Sequence, residues 1–326
     1  MSITRAEMLK SLALIAVSFA SPKFAFAAAS GTVKLPGINI AGAEFGNRTS
    51  KLGFGYSYPE DKALAHYAAQ GFKLIRLPFL LQRIQPQTKG DLSNEVEHLD
   101  RIVDAAATNK LTLVLDAHNY GQRNGQPIAA DDLADFWSRL ARRYINHPHV
   151  AYGLMNEPKV YKPVDWRPVA DASVAAIRET GSTQLIMVPG GRWTGAHDWM
   201  RANAEAFEGF TDSNFMIEVH QYLDSDNSGT HLQEYVPGSG SSRLKAVTAW
   251  ARDRKIRLFL GEFGFASPAG ETEGRALLQY MTDNSDVWAA YAYWAGGTWW
   301  GNYAFSAEPK GDVPNPQVEL LASYFG

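Results

Sequence analysis

Two glutamates stand out by their surroundings: Glu157 in Gly153-Leu154-Met155-Asn156-Glu157-Pro158 and Glu262 in Leu260-Gly261-Glu262-Phe263-Gly264. Each follows a short apolar run, so each belongs where a buried strand ends and solvent begins. Two carboxylates converging across a cleft suit cleavage of a glycosidic bond. One protonates the departing oxygen, while the other attacks or stabilises the anomeric carbon. A separation of about 5–5.5 Å goes with retention of configuration and about 6.5–9.5 Å with inversion; the sequence leaves that choice open. Either glutamate alone has a plainer reading as a structural ion partner of Arg76. The two together, each in a strand-end motif, favour chemistry.

Other apolar runs end in polar or aromatic groups. Arg76 lies in Ile75-Arg76-Leu77-Pro78, His118 in Leu115-Asp116-Ala117-His118-Asn119, His220 and Tyr222 in Ile217-Glu218-Val219-His220-Gln221-Tyr222, and Trp294 closes Ala292-Tyr293-Trp294. Side chains alternate along a strand, so Asp116 and Glu218 point the same way as His118 and His220 but lie deeper. They are expected to be supporting partners rather than catalysts. Glu44, after the first strand, reads equally as a ligand for distant sugar units or as a loop anchor. Trp193, in Gly190-Gly191-Arg192-Trp193, is a platform candidate, and one of Trp299 and Trp300 is expected to face the cleft.

The elements that must position these groups follow from hydrophobic periodicity. Strands are expected at 37–41, 74–79, 111–117, 150–155, 184–189, 215–220, 258–263 and 288–294. Helix-like segments lie between them at 59–70, 96–109, 131–145, 164–180, 199–207, 242–254 and 271–284, with 317–324 closing the chain. Asp131-Asp132 and Pro59-Glu60-Asp61 read as helix-start chemistry, and Gly71, Asn109 and Gly181 as helix stops. Eight β-then-α units with near-continuous apolar strands describe parallel strands covered by helices. No G-x-G-x-x-G follows the first strand, which disfavours an open doubly wound sheet. The expected fold is therefore an α/β (β/α)8 TIM barrel in a single domain, whose reactive face lies at the carboxyl ends of the strands.

Arg76, His118, Asn156, Glu157, His220, Tyr222, Glu262 and Trp294, in this order at these strand ends, resemble glycoside hydrolase family five, a retaining family with this barrel. The stretches NIAGAEFG (39–46), GLMNEP (153–158), HQYLDSDNSGTH (220–231) and LGEFG (260–264) look like its endo-β-1,4-glucanase (cellulase) branch. A lone N-E-P is weak, but matched positions spread over about 220 residues are specific. The resemblance implies Glu157 as general acid/base and Glu262 as nucleophile. It implies Asn156 on the sugar 2-hydroxyl, Arg76 and Tyr222 beside Glu262, and His220 positioning Glu157. His118 would contact the sugar on the non-reducing side, where Trp294 would form the floor. The implied partner is a β-glucan polysaccharide, with no cofactor and no metal. Unlike fungal relatives, this chain has no Cys, so it lacks their disulfides.

Composition narrows the alternatives. A formal charge of −3 with no sustained basic block argues against nucleic acid. Residues 1–27 carry Arg5, Lys10, an apolar run and Ala25-Phe26-Ala27, the pattern of a secretory signal peptide. The mature chain, 28–326, is then expected outside the cytoplasm, without a membrane anchor and as a monomer. A hydrolytic metal site through His118 and His220 is the competing chemistry, but no H-x-H in the first strand supports it. The run Asp224–Gly229 imitates a calcium loop yet has Tyr235 where the twelfth-position Glu belongs, and reads as a cleft-edge loop. Within the same chemistry, β-mannan, mixed-linkage glucan or xylan are alternative substrates. A non-catalytic glycan-binding barrel is the alternative of another class.

Overall fold

The computed structural model describes residues 32–311 and 313–326; the signal-peptide reading of residues 1–27 lies outside them. Eight parallel strands close a barrel: β1 (Leu35–Ile40), β2 (Leu74–Phe79), β3 (Thr112–Ala117), β4 (Val150–Gly153), β5 (Ile186–Pro189), β6 (Phe215–His220), β7 (Leu258–Glu262) and β8 (Trp288–Gly296). β1 pairs with both β8 and β2, which completes the ring. The expected TIM barrel is the fold of this chain.

Alternation along the strands explains how an apolar barrel can hold polar groups. Leu74, Val114, Met216 and Phe259 form one buried cluster inside the barrel, while Ile75, Leu77, Leu113, Leu115 and Ile217 join the larger cluster beneath the helices. Two residues further along the inner face, Leu74 gives way to Arg76, Val114 to Asp116 and Met216 to Glu218. The period-2 pattern thus lifts a polar layer onto an apolar plug. At the matching place on β7 stands Gly261. A Cβ there would lie 2.2 Å from Glu218 Oε1, so only glycine leaves room for that carboxylate.

Helices cover the outside. The helix Ala130–Arg143 buries Leu133, Phe136, Trp137 and Leu140, and carries Asp131 and Asp132 in its first turn and Arg142 and Arg143 in its last, as the helix dipole favours. It departs from expectation at its start. Its N-cap is Ala129, with no side-chain cap, and Glu60 ahead of Asp61–Ala69 also caps nothing. Asn315, which accepts from Val318 N at 3.1 Å, does cap a helix. Gly71 and Gly181, with φ of +99° and +88°, follow the ends of their helices as expected.

Expected strand bounds shift by up to two residues, and the fifth helix shortens. Only Trp199–Ala202 is helical where 199–207 was expected. Asn203 is its C-cap, donating its N to Trp199 O at 2.8 Å while its Oδ1 accepts from Gly191 N at 2.8 Å, a tertiary bond invisible to periodicity. A one-turn helix, Leu81–Ile84, and a small hairpin, Gln122–Arg123 with Gln126–Pro127, were not foreseen.

Candidate active site

Arg76 is the pivot of the site. It is wholly buried, and its Nη1 donates to Asn39 Oδ1 at 2.9 Å and to Glu262 Oε1 at 3.1 Å. Its Nη2 donates to Asn156 Oδ1 at 2.8 Å and lies 3.2 Å from Asp116 and 3.1 Å from Glu218. Burial opposes the charge on Arg76, but Asp116, Glu218 and Glu262 outweigh it and raise its pKa further. Asp116 and Glu218, both inaccessible, act as its counter-ions, the supporting role the alternation predicted. Removing one partner of a buried ion set leaves uncompensated charge. Arg76→Met is therefore expected to cost about 3–5 kcal/mol in chemical denaturation. Arg76→Lys, with a single ammonium, cannot reach the same acceptors at once and should recover little of this.

Glu262 is fixed on both oxygens, since Arg76 serves Oε1 and Tyr222 donates its hydroxyl to Oε2 at 3.0 Å. Glu157 stands across from it, in the loop after β4, at φ +37°. A non-glycine residue in that region is strained, a feature that collects at functional sites. His220 Nδ1 is 2.9 Å from Glu157 Oε1 and 3.7 Å from Glu262 Oε2, and its Nε2 is 3.1 Å from Glu218 Oε1. Burial works against a charged His220, yet Glu262, Glu157 and Glu218 push its pKa up to about 10. Burial dominates at Glu157 and raises its pKa, aided by the charge of Glu262 and opposed by His220. One ligating atom each of Glu157, His220 and Glu262 lies within 4.8 Å of the others. Both His220 nitrogens face carboxylates, which fix the ring from either side.

The remaining residues sort by contact. His118 Nδ1 is 2.8 Å from Asp116 Oδ2, and its Nε2 is 3.1 Å from Asn156 Nδ2. The Arg76–Asn156 bond orients that amide, so Nδ2 donates to His118 and the ring proton sits on Nδ1. Trp294 lies nearly parallel to His118, with centroids 5.6 Å apart. A cleft of about 860 Å³ is lined by His118, Glu157, His220, Tyr222, Glu262 and Trp294, and half-exposed Trp193 forms part of its wall. It continues past His118 and Trp294 into a second cavity of about 480 Å³, which contains Trp300 rather than Trp299. Trp300 packs edge-on against Phe45 and Trp294 and donates to Gly296 O, while Trp299 is turned outward. Glu44 lines this second cavity, and burial raises its pKa to about 7.

Three contributors escaped sequence reasoning. Asn39 accepts from Arg76 and donates to Gly261 O, tying β1 to β7. Tyr120 contacts His118 through its hydroxyl at 3.3 Å, and the Lys159 ammonium lies 4.7 Å from the Tyr120 ring and 4.6 Å from the Trp193 ring. Asn39 opens the NIAGAEFG stretch and Tyr120 follows His118-Asn119, so position offered a signal for both. Lys159 had none.

A closed β/α barrel that presents two juxtaposed carboxylates in an aromatic-walled cleft defines a glycoside hydrolase. The family model "Cellulase (glycosyl hydrolase family 5)" matches residues 34–297. This chain belongs to glycosyl hydrolase family 5. It is similar to the probable endo-beta-1,4-glucanase B of Neosartorya fischeri, at 33% identity across 97% of this chain and 99% of that protein. Among solved structures it resembles XacCel5A in complex with cellopentaose, with 39% identity, 90% and 99% of the two chains covered and a TM-score of 0.87. Pseudomonas stutzeri endoglucanase Cel5A in complex with cellobiose gives 32% identity, 90% and 92% coverage and a TM-score of 0.81.

Proposed function

We propose that this protein cuts internal β-1,4-glucosidic bonds of cellulose-like glucans with net retention, Glu262 acting as nucleophile and Glu157 as acid/base. The observation that carries this reading is that an oxygen of Glu157 and one of Glu262 lie within 4.8 Å of each other, which fits the closer spacing of a retaining pair better than the wider spacing of an inverting one. Their surroundings separate their roles. Arg76 and Tyr222, donating to its two oxygens, hold the Glu262 carboxyl aimed at the anomeric carbon. Burial favours the protonated form of Glu157, and His220 donates to Oε1, which leaves Oε2 to deliver the proton to the leaving oxygen.

In the first step the Glu262 oxygen bonds to the anomeric carbon, the glycosidic C–O bond breaks, and the departing oxygen takes the Glu157 proton. In the second, Glu157 removes a proton from water, which attacks the same carbon and releases Glu262. Asn156 would hydrogen-bond the 2-hydroxyl through its second amide N–H. His118, Trp294 and Trp300 would line the non-reducing side, and Trp193 the side of the leaving sugar. The two cavities share His118, Tyr120 and Trp294 in their walls, so sugar-binding surface extends beyond the reacting pair, which suits attack inside a chain. The endo-beta-1,4-glucanase relatives and the cellopentaose complex favour glucan over mannan or xylan as substrate. Export through residues 1–27 and action as a monomer complete the reading. Among the described residues, no helix is long and apolar enough to cross a membrane.

The test is product analysis on carboxymethyl cellulose, barley glucan, mannan and xylan side by side, with NMR of the first-formed anomer. The expected result is β-anomer release from the glucans; α-anomer release, or preference for mannan, would refute it. Because the acid must be protonated in the first step, the raised pKa of Glu157 carries a sign. Activity should persist above pH 4.5 and fall as pH rises through the elevated pKa. A kcat/KM profile whose alkaline limb lies at an ordinary glutamate value would contradict this.

A further inference from the structure

The loop 224–231 lines the cleft, yet its internal wiring points inward. Asp224 is buried, and its carboxylate accepts from Ser228 Oγ at 3.1 Å, Gly229 N at 3.1 Å and His231 N at 3.2 Å. Arg243 donates to Tyr222 O and to Asp224 O, both at 2.7 Å. Gln221 Nε2 donates to Tyr222 O at 2.7 Å and Asn227 Oδ1 at 2.9 Å. The loop is thus tied back on the segment carrying Tyr222 from both directions.

These ties seat Gly229 on the Tyr222 ring. A Cβ at Gly229 would fall 2.5 Å from Cδ1, 2.7 Å from Cγ and 2.8 Å from Cε1 of that ring, and its φ is +70°. Phe305 lies nearly parallel to the same ring, with centroids 6.4 Å apart. Seated against the bare glycine, the ring carries its hydroxyl to Glu262 Oε2 at 3.0 Å.

We propose that the Asp224-tied loop is a brace for the reacting centre, with Gly229 as a positioning residue that aims the Tyr222 hydroxyl at Glu262. The inference rests on the reading of Glu262 as nucleophile. Loss of activity in Glu262→Ala tests that reading separately. The brace itself is tested by a double-mutant cycle between Gly229→Ala and Tyr222→Phe, measured with an activated aryl β-cellobioside.

A methyl at Gly229 must push the ring aside, and displacements of this kind cost about ten- to a hundredfold in rate. The expected result is a fall of that size in kcat, with KM within about twofold, and a Gly229→Ala penalty below about twofold in the Tyr222→Phe background. Asp224→Asn leaves Gly229 in place and weakens the tie. It should lower kcat less, and that loss should also vanish with Tyr222→Phe. A KM increase at unchanged kcat would show that the loop acts by touching substrate. An undiminished Gly229→Ala or Asp224→Asn penalty in the Tyr222→Phe background would show a merely structural role. Either result overturns the brace.

Discussion

Replacing Glu262 with alanine is expected to lower kcat on cellulosic substrates on the order of 10⁴–10⁶-fold, because the proposed mechanism runs through a covalent intermediate on that carboxylate. The geometry adds a sharper expectation. The vacated space lies beside the Arg76 guanidinium and the Tyr222 hydroxyl, both of which donate to the missing carboxylate. A small anion should occupy it. Added azide should restore part of the turnover of an aryl β-cellobioside with a good leaving group, attacking from the face Glu262 occupied and giving the α-glycosyl azide. NMR of the product and a rate that rises with azide concentration measure this. Wild-type activity in Glu262→Ala would remove the assignment, and a β-configured azide would place the nucleophile elsewhere.

Glu157→Gln should behave differently. It keeps shape and a hydrogen-bonding partner for His220 but cannot supply a proton. Hydrolysis of poor leaving groups, including glucan itself, is expected to fall by about 10²–10⁴-fold. Formation of the intermediate from an activated aryl cellobioside should be nearly unaffected, since that leaving group departs without protonation. Breakdown of the intermediate still needs a base, so the variant should show a burst of released phenol. Azide, which needs no base, should speed the second step and give the β-glycosyl azide. Equal losses on good and poor leaving groups would refute the acid role. The opposite azide configurations distinguish the two glutamates in one assay.

Much of this was legible in the primary structure because the barrel repeats a simple pattern. Each apolar run of about five residues marked a strand, and the polar residue closing it marked the rim. Strands such as 74–79 and 215–220 were placed to the residue. The inward direction of Asp116 and Glu218 followed from their spacing before His118 and His220. What failed turned mostly on tertiary contacts. The helix at Trp199 stops early, with Asn203 as its C-cap, whose side chain is tied to Gly191 N by a tertiary bond. The caps expected at Asp131 and Glu60 are absent: Asp131 stands inside the first turn and pairs with Lys89, and Glu60, at the N-cap position, turns its carboxylate to Lys62.

Sequence by itself determined the class of fold, the two glutamates and the company they keep, since periodicity and residue type are local properties of the chain. Only the tertiary structure decided how those residues interact. It set the approach of Glu157 to Glu262, the threefold acidic coordination of Arg76, the choice of Trp300 over Trp299, and the seating of Gly229 on Tyr222. Most of these depend on ring closure, which brings together residues as distant in sequence as Arg76 and Glu262, whereas the seating of Gly229 on the nearby Tyr222 depends on how their loop is tied. Burial then gives two chemically identical carboxyls different surroundings: an arginine and a tyrosine hold one, and desolvation raises the pKa of the other.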